Sequence, residues 1–303
     1  MQPSGEQYSM TAVGYTATVT EVGATLRKLA HEGRALVAGF DAEEIRPAYR
    51  GAVLAPWPNR VADGAYDFGG TTHQLPLSEP ARHNALHGLV AWVPWTLLER
   101  SADRVVLGYQ LFPQDGYPFR LDLTVSYVLS VDGLTTRLTA LNAGVDEAPY
   151  GCAPHPYLVA GPGRVDDWTL DLPAADYLEV TPDRLLPVRV TPVEGTSYDF
   201  RRAHDIGDTF LDHAYTGLGR DPGGRTRVRV VTGDGSGVEM SWSAESLPWV
   251  QVHTADRPEP ELNRSGLAVE PMTCPPDAFN SRTDLLVLAP GELHEASWTI
   301  TAV

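Results

Sequence analysis

Apolar and polar positions alternate with a period of two along much of this chain. Leu121, Leu123, Val125, Tyr127, Leu129 and Val131 are separated by mostly polar or small residues. After Asp132-Gly133 the alternation resumes at Leu134, Thr136, Leu138 and Ala140. That period turns one face of an extended chain toward a core. Asp-Gly between two such runs predicts a tight hairpin whose central residues both take positive φ. A second hairpin is expected at 233–237, joining strands at 227–231 and 238–242. Further strands are expected at 16–20, 104–111, 249–254 and 297–303. Twenty-five prolines and 28 glycines interrupt the chain too often for long helices. Short helical turns are expected only near 41–44 and 245–247. Many short strands with turn signals and no linker predict an all-β fold, a large antiparallel β-sandwich forming a single domain over 1–303.

Two segments stand out against this background. Tyr150-Gly-Cys-Ala-Pro-His-Pro-Tyr157 sets His155 between two prolines, and Ala268-Val-Glu-Pro271 sets Glu270 directly before one. Proline fixes its own φ and restrains the residue before it, so both side chains sit on stiff backbone. An imidazole and a carboxylate held in this way form a candidate acid–base pair that needs no metal and no nucleotide. The alternatives are a structural histidine and a buried ion pair with an arginine.

Other polar residues are candidates for binding. Asn59-Arg60 ends a rigid stretch with Trp57 between Pro56 and Pro58, and the guanidinium offers a planar fork of donors. His87 precedes Gly88, which lets another group approach the backbone. Asp212 offers a carboxylate that suits two adjacent hydroxyls, or caps a turn. Gln251 is an amide within a strand, unless it simply faces solvent. Trp57 and Tyr157 could stack on the face of a ligand, and Trp57 reads more readily as core.

Composition narrows the picture. The net charge is −16, from 39 acidic and 23 basic residues, which disfavours nucleic acid and anionic membranes as partners. Cys152 and Cys274 lack metal-ligand spacing and read as buried apolar residues, both close in sequence to the candidate pair. His83 and His87 have H-x-x-x-H spacing without the glutamate or third ligand of a zinc site, so no metal is expected. No secretory signal and no apolar run of spanning length is seen, which predicts a cytoplasmic protein. Monomer and homodimer both remain open.

Taken in order, these residues resemble the aldose 1-epimerase (galactose mutarotase) family. Asn59-Arg60 with Gly64-Ala-Tyr-Asp-Phe-Gly-Gly70 is similar to the family's early motif. Leu86-His-Gly88 with Trp92 and Trp95, then His155-Pro-Tyr157, are similar to the next two. Leu186-Pro187, Asp199-Phe-Arg201, Asp212, Gln251-Val-His-Thr254, Glu270-Pro271 and Pro290-Gly-Glu292 follow in the family's order. The resemblance implies a galactose mutarotase-like β-sandwich and an isomerase that interconverts the α and β anomers of an aldose without a cofactor. It implies Glu270 as base and His155 as acid, with Asn59, Arg60, His87, Tyr157, Asp212 and Gln251 around the sugar. Pro156, Leu158-Val159 and His253 depart from the usual pattern and leave the choice of aldose open. Three other readings remain. They are a non-catalytic carbohydrate-binding sandwich, an epimerase for a phosphorylated or sulfonated hexose drawing on Arg82, Arg120 and Arg164, and a glycoside hydrolase or lyase using Asp212 and Glu270.

Overall fold

The central hairpin forms with its turn displaced by one residue. In the computed structural model, which describes residues 2–303, Leu121–Ser130 pairs antiparallel with Gly133–Asn142, from Leu121↔Asn142 to Ser130↔Gly133. The turn is therefore Val131-Asp132, and neither residue takes positive φ. Gly133 instead opens the returning strand at φ 106. A Cβ there would lie 2.2 Å from the Ile300 carbonyl oxygen, so the glycine is required by the neighbouring strand as well as by the turn. The segments at 41–44 and 245–247 are turns without helix, and among the described residues the one α-helix is Ala278–Ser281.

These two strands lie within a nine-stranded antiparallel sheet. It runs from the edge strand Thr96–Arg100 through Arg104–Leu111, the hairpin, Leu293–Ala302, Gly237–Ser243 and Arg225–Val231 to Thr169–Asp171 and His204–Asp205. A six-stranded sheet has the order Tyr157–Leu158, Leu267–Met272, Trp249–His253, Asp212–Leu218, Ala174–Val180 and Pro187–Pro192. A four-stranded sheet begins the chain with Gln7–Ala12, Tyr15–Thr20, Leu26–His31 and Arg34–Ala35. The molecule is almost entirely β-structure, as the alternation predicts.

One apolar core joins the three sheets. It takes Leu121, Leu123 and Val125 from the large sheet, Tyr215, Val250, Val252, Leu267 and Val269 from the six-stranded sheet, and Ala17 and Val19 from the first. Burying a side chain of this size contributes about 1.5–3 kcal/mol. Since the period is two, the residues between them on the six-stranded sheet point the other way. Gln251, Glu270 and Asp212 therefore share the face turned from the main core, and the pairing Gln251↔Glu270 places two of them side by side. Trp57 is buried in the core against Phe279.

Candidate active site

His155 reaches this face by the same two-residue logic. Tyr157 pairs with Ala268 at the edge of the six-stranded sheet, and His155 precedes it by two residues in a proline-stiffened segment. Its backbone is tied at both ends. The His155 N–H donates to the Ala52 carbonyl (3.0 Å), and its carbonyl accepts from the Gly51 N–H (2.8 Å). The imidazole Nε2 lies 3.4 Å from Glu270 Oε1. His155 is 4% exposed and Glu270 2%. Glu270 thus has an imidazole and no arginine as its close partner, against the alternative of an arginine ion pair.

Rings hold the imidazole in place. Tyr157 stacks on one side at 5.2 Å and 14°, and Tyr49 lies nearly parallel at 6.3 Å and 16°. His87 meets it edge-on at 5.0 Å. The Tyr157 hydroxyl donates to the Ala48 carbonyl at 3.1 Å, which commits it to the wall. Tyr157 therefore lines the cleft mainly as a ring.

A second wall is built by chain pairing. Arg60–Ala62 pairs with Asn84–Leu86, which brings Asn59-Arg60 beside His87. The His87 N–H donates to the Asn59 carbonyl (2.9 Å), and the Asn59 N–H donates to His87 Nδ1 (3.2 Å). With Nδ1 accepting, a neutral His87 carries its proton on Nε2. Asn59 Oδ1 accepts from the Arg60 N–H (3.0 Å) and from Arg60 Nη1 (3.2 Å). Arg60 Nε and Nη2 donate to the two oxygens of Glu79 at 2.9 and 3.1 Å. Arg60 is therefore both a cleft residue and half of an ion pair. A Cβ on Gly88 would lie 2.1 Å from the Ala55 carbonyl oxygen, so the backbone approach expected after His87 is present.

Ala48, Tyr49, Asn59 and His87 all take positive φ without being glycine. Such conformations cost about 1–3 kcal/mol each and persist where the surroundings fix them. All four line a single cleft of about 590 Å³, a size suited to one sugar ring. Asn59, Arg60, His87, His155, Tyr157, Asp212, Gln251 and Glu270 all line it. Gln251 is buried, which removes the solvent-facing alternative, and its amide donates to Asp212 Oδ1 at 2.7 Å. Asp212 opens a strand and accepts this bond, so it does more than cap a turn. His155 Nδ1, Glu270 Oε2 and Gln251 Oε1 are buried with no hydrogen-bond partner. Buried polar atoms usually find one, and three exceptions on one cleft suit hydroxyl groups.

Burial acts on both members of the pair. It pushes the Glu270 carboxyl well above the usual carboxylate range, and the nearby Asp212 charge adds to this while Arg60 opposes it. Burial, with His253, Arg46 and Arg257, lowers His155 to about 3, although a backbone hydrogen bond opposes the shift. His87 is also held neutral by burial and by its cationic neighbours.

Several cleft residues escape a sequence reading. Tyr49, Glu79, Tyr198, Phe210, His213 and Arg257 line the wall. Glu79, close to Arg82 and Asn84, carries a local charge signal. Tyr49 and Arg257 reach the cleft through tertiary placement alone. Arg82 lines the cleft, whereas Arg120 and Arg164 do not, so the three basic residues considered for a phosphorylated sugar do not converge. Cys152 and Cys274 are free, buried and outside the cleft lining. Among the described residues no group of three or more His, Cys, Asp or Glu is placed to hold a metal ion, and no helix is long and apolar enough to cross a membrane.

A family model described as Aldose 1-epimerase matches residues 6–301. The chain is 38% identical over 301 residues to the Uncharacterized protein YihR of Escherichia coli, covering 99% of this chain and 94% of the relative. It is 30% identical over 238 residues to the Galactose mutarotase of Mus musculus, covering 72% of this chain and 64% of the relative. Among solved structures, a GalM/aldose epimerase homologue from C. elegans superimposes with a TM-score of 0.85 at 20% identity, covering 98% of this chain and 99% of that one. That likeness shows the fold.

Proposed function

The chain belongs to the aldose 1-epimerase family, and from that premise we propose that it interconverts the α and β anomers of an aldose by acid–base opening and closing of the sugar ring. The observation that supports this most is the contact of His155 Nε2 with Glu270 Oε1 at 3.4 Å in the lining of a sugar-sized cleft.

The two groups share one proton through the cycle. Glu270 as carboxylate takes the proton of the anomeric hydroxyl, and His155 as imidazolium gives its proton to the ring oxygen. The bond from C1 to the ring oxygen breaks, leaving an aldehyde, a protonated Glu270 and a neutral His155. Rotation about C1–C2 turns the other carbonyl face toward the C5 hydroxyl. On reclosure His155 takes the hydroxyl proton, and Glu270 returns its own to the carbonyl oxygen. Ring opening therefore converts a buried ion pair into a buried neutral pair. Burial raises Glu270 and lowers His155, so the surroundings favour the protonation state of the open-chain complex. His87 as an Nε2–H donor, Arg60, Gln251 and Asp212 supply hydrogen bonds to the hydroxyls.

Exchange spectroscopy by NMR on an equilibrium mixture of anomers tests this reading. The protein should accelerate α–β exchange over the spontaneous rate without changing the equilibrium ratio. Calorimetric binding of a sugar with no acceleration would point to a carbohydrate-binding module. Cleavage of a disaccharide would point to a hydrolase.

A further inference from the structure

The arginines of the cleft are unequally matched. Arg60 and Arg82 share the carboxylate of Glu79. Arg257 is exposed in the same cleft and forms no ion pair among the described residues. Its neighbour Asp256 is engaged elsewhere, accepting from the Thr254 hydroxyl and lying 2.9 Å from Arg264 Nη1, while Arg264 also binds Asp166. Behind the wall, Arg46 and Arg50 are buried without a carboxylate. Arg46 donates to Thr25 Oγ1 and the Ala91 carbonyl, and Arg50 to the Gly39 carbonyl and Ser265 Oγ. Arg50 also lies over the Tyr157 ring at 5.4 Å. A chain with a net charge of −16 thus gathers guanidinium groups without acidic partners at the His155–Tyr157 end of its cleft.

This end has a definite meaning for a bound sugar, given the acid–base reading above. The ring oxygen is bonded to C1 and C5, and C5 carries C6. A histidine that serves the ring oxygen therefore has C6 on its own side. The field of Arg257 reaches both His155 and Tyr157. An exposed guanidinium beside the Tyr157 hydroxyl, with no carboxylate to neutralise it, is well suited to bind a planar or tetrahedral oxyanion. We propose that the preferred aldose carries an anionic group at C6, such as a carboxylate, phosphate ester or sulfonate, and that Arg257 receives it.

The test compares D-glucose with D-glucuronate, glucose 6-phosphate and 6-deoxy-6-sulfoglucose, each by NMR exchange at low ionic strength after subtraction of the uncatalysed rate. At least one anion should exceed glucose in kcat/KM by about tenfold or more, and the leading anion identifies the group. Arg257→Met should lower the ratio of that anion to glucose by about 10- to 100-fold, the size of one charged hydrogen-bonded contact. Arg257→Lys should fall between the two. Glucose turned over as well as every anion, or a ratio that Arg257→Met leaves in place, would overturn the proposal alone. No acceleration of any of the four sugars would overturn this proposal, and no acceleration of D-galactose as well would overturn the acid–base reading with it.

Discussion

A carboxyl and an imidazole packed together away from water hold one proton more easily than two charges. Coupled groups of this kind titrate as a pair. With a second proton bound, His155 is charged and Glu270 is no longer a base. With none, Glu270 is a base and His155 no longer an acid. Activity therefore needs the one-proton pair, whose window lies between a lowered His155, about 3, and a raised Glu270. As pH falls through 6.5, the ordinary histidine value, kcat/KM should show no loss. Its acid limb should appear only well below that range, and its alkaline limb above the ordinary carboxylate range. A pH profile of kcat/KM, which reports the free enzyme, checks this. Half of the activity lost near pH 6.5 on the acid side would show that His155 titrates as an exposed histidine.

At the scale of elements, Glu79 explains how a loop and a strand aim Arg60. It accepts from Arg60 through both oxygens, from Arg82 Nη1 and from Asn84 Nδ2. These bonds hold its carboxyl below the ordinary range despite partial burial. Glu79→Gln should loosen Arg60 and lower kcat/KM by about tenfold, the value of one charge-assisted hydrogen bond. The loss should fall mainly on KM, with the pH profile unchanged. A shift in the profile would instead place Glu79 in the proton chemistry. The strands were legible because alternation is local. Leu121–Ser130 and Arg104–Leu111 are the expected runs almost residue for residue. The Asp132-Gly133 turn was displaced because the strand beside Gly133 decides which position must be glycine. The short helix Ala278–Ser281 is too brief to show a period. In the cleft, residues flanked by proline or glycine could be picked out, since stiff backbone leaves a sequence mark. Tyr49 leaves none, and Arg257, although it precedes Pro258, reads as one charge in a run with Asp256, Glu259 and Glu261, because its meaning lies in what the folded chain sets beside it.

At the scale of the whole molecule, the acidic surface and the cleft are separate matters. A net charge of −16 repels itself across the folded surface, and salt screens that repulsion. The melting temperature should therefore rise when NaCl goes from about 20 mM to about 300 mM. A constant or falling value would show that the charges are already balanced by local ion pairs. The sandwich gathers cleft residues from several distant stretches of chain around one space, and the chemistry rests on two of them, His155 and Glu270. Polarimetry of Glu270→Gln and His155→Asn beside the parent protein, on the aldose it turns over best, tests that claim most directly. Each variant should lose about 10²–10⁴-fold in kcat. Glu270→Gln should melt no lower than the parent, because it removes a buried ionisable group. A folded Glu270→Gln protein that keeps the parent rate would contradict the account.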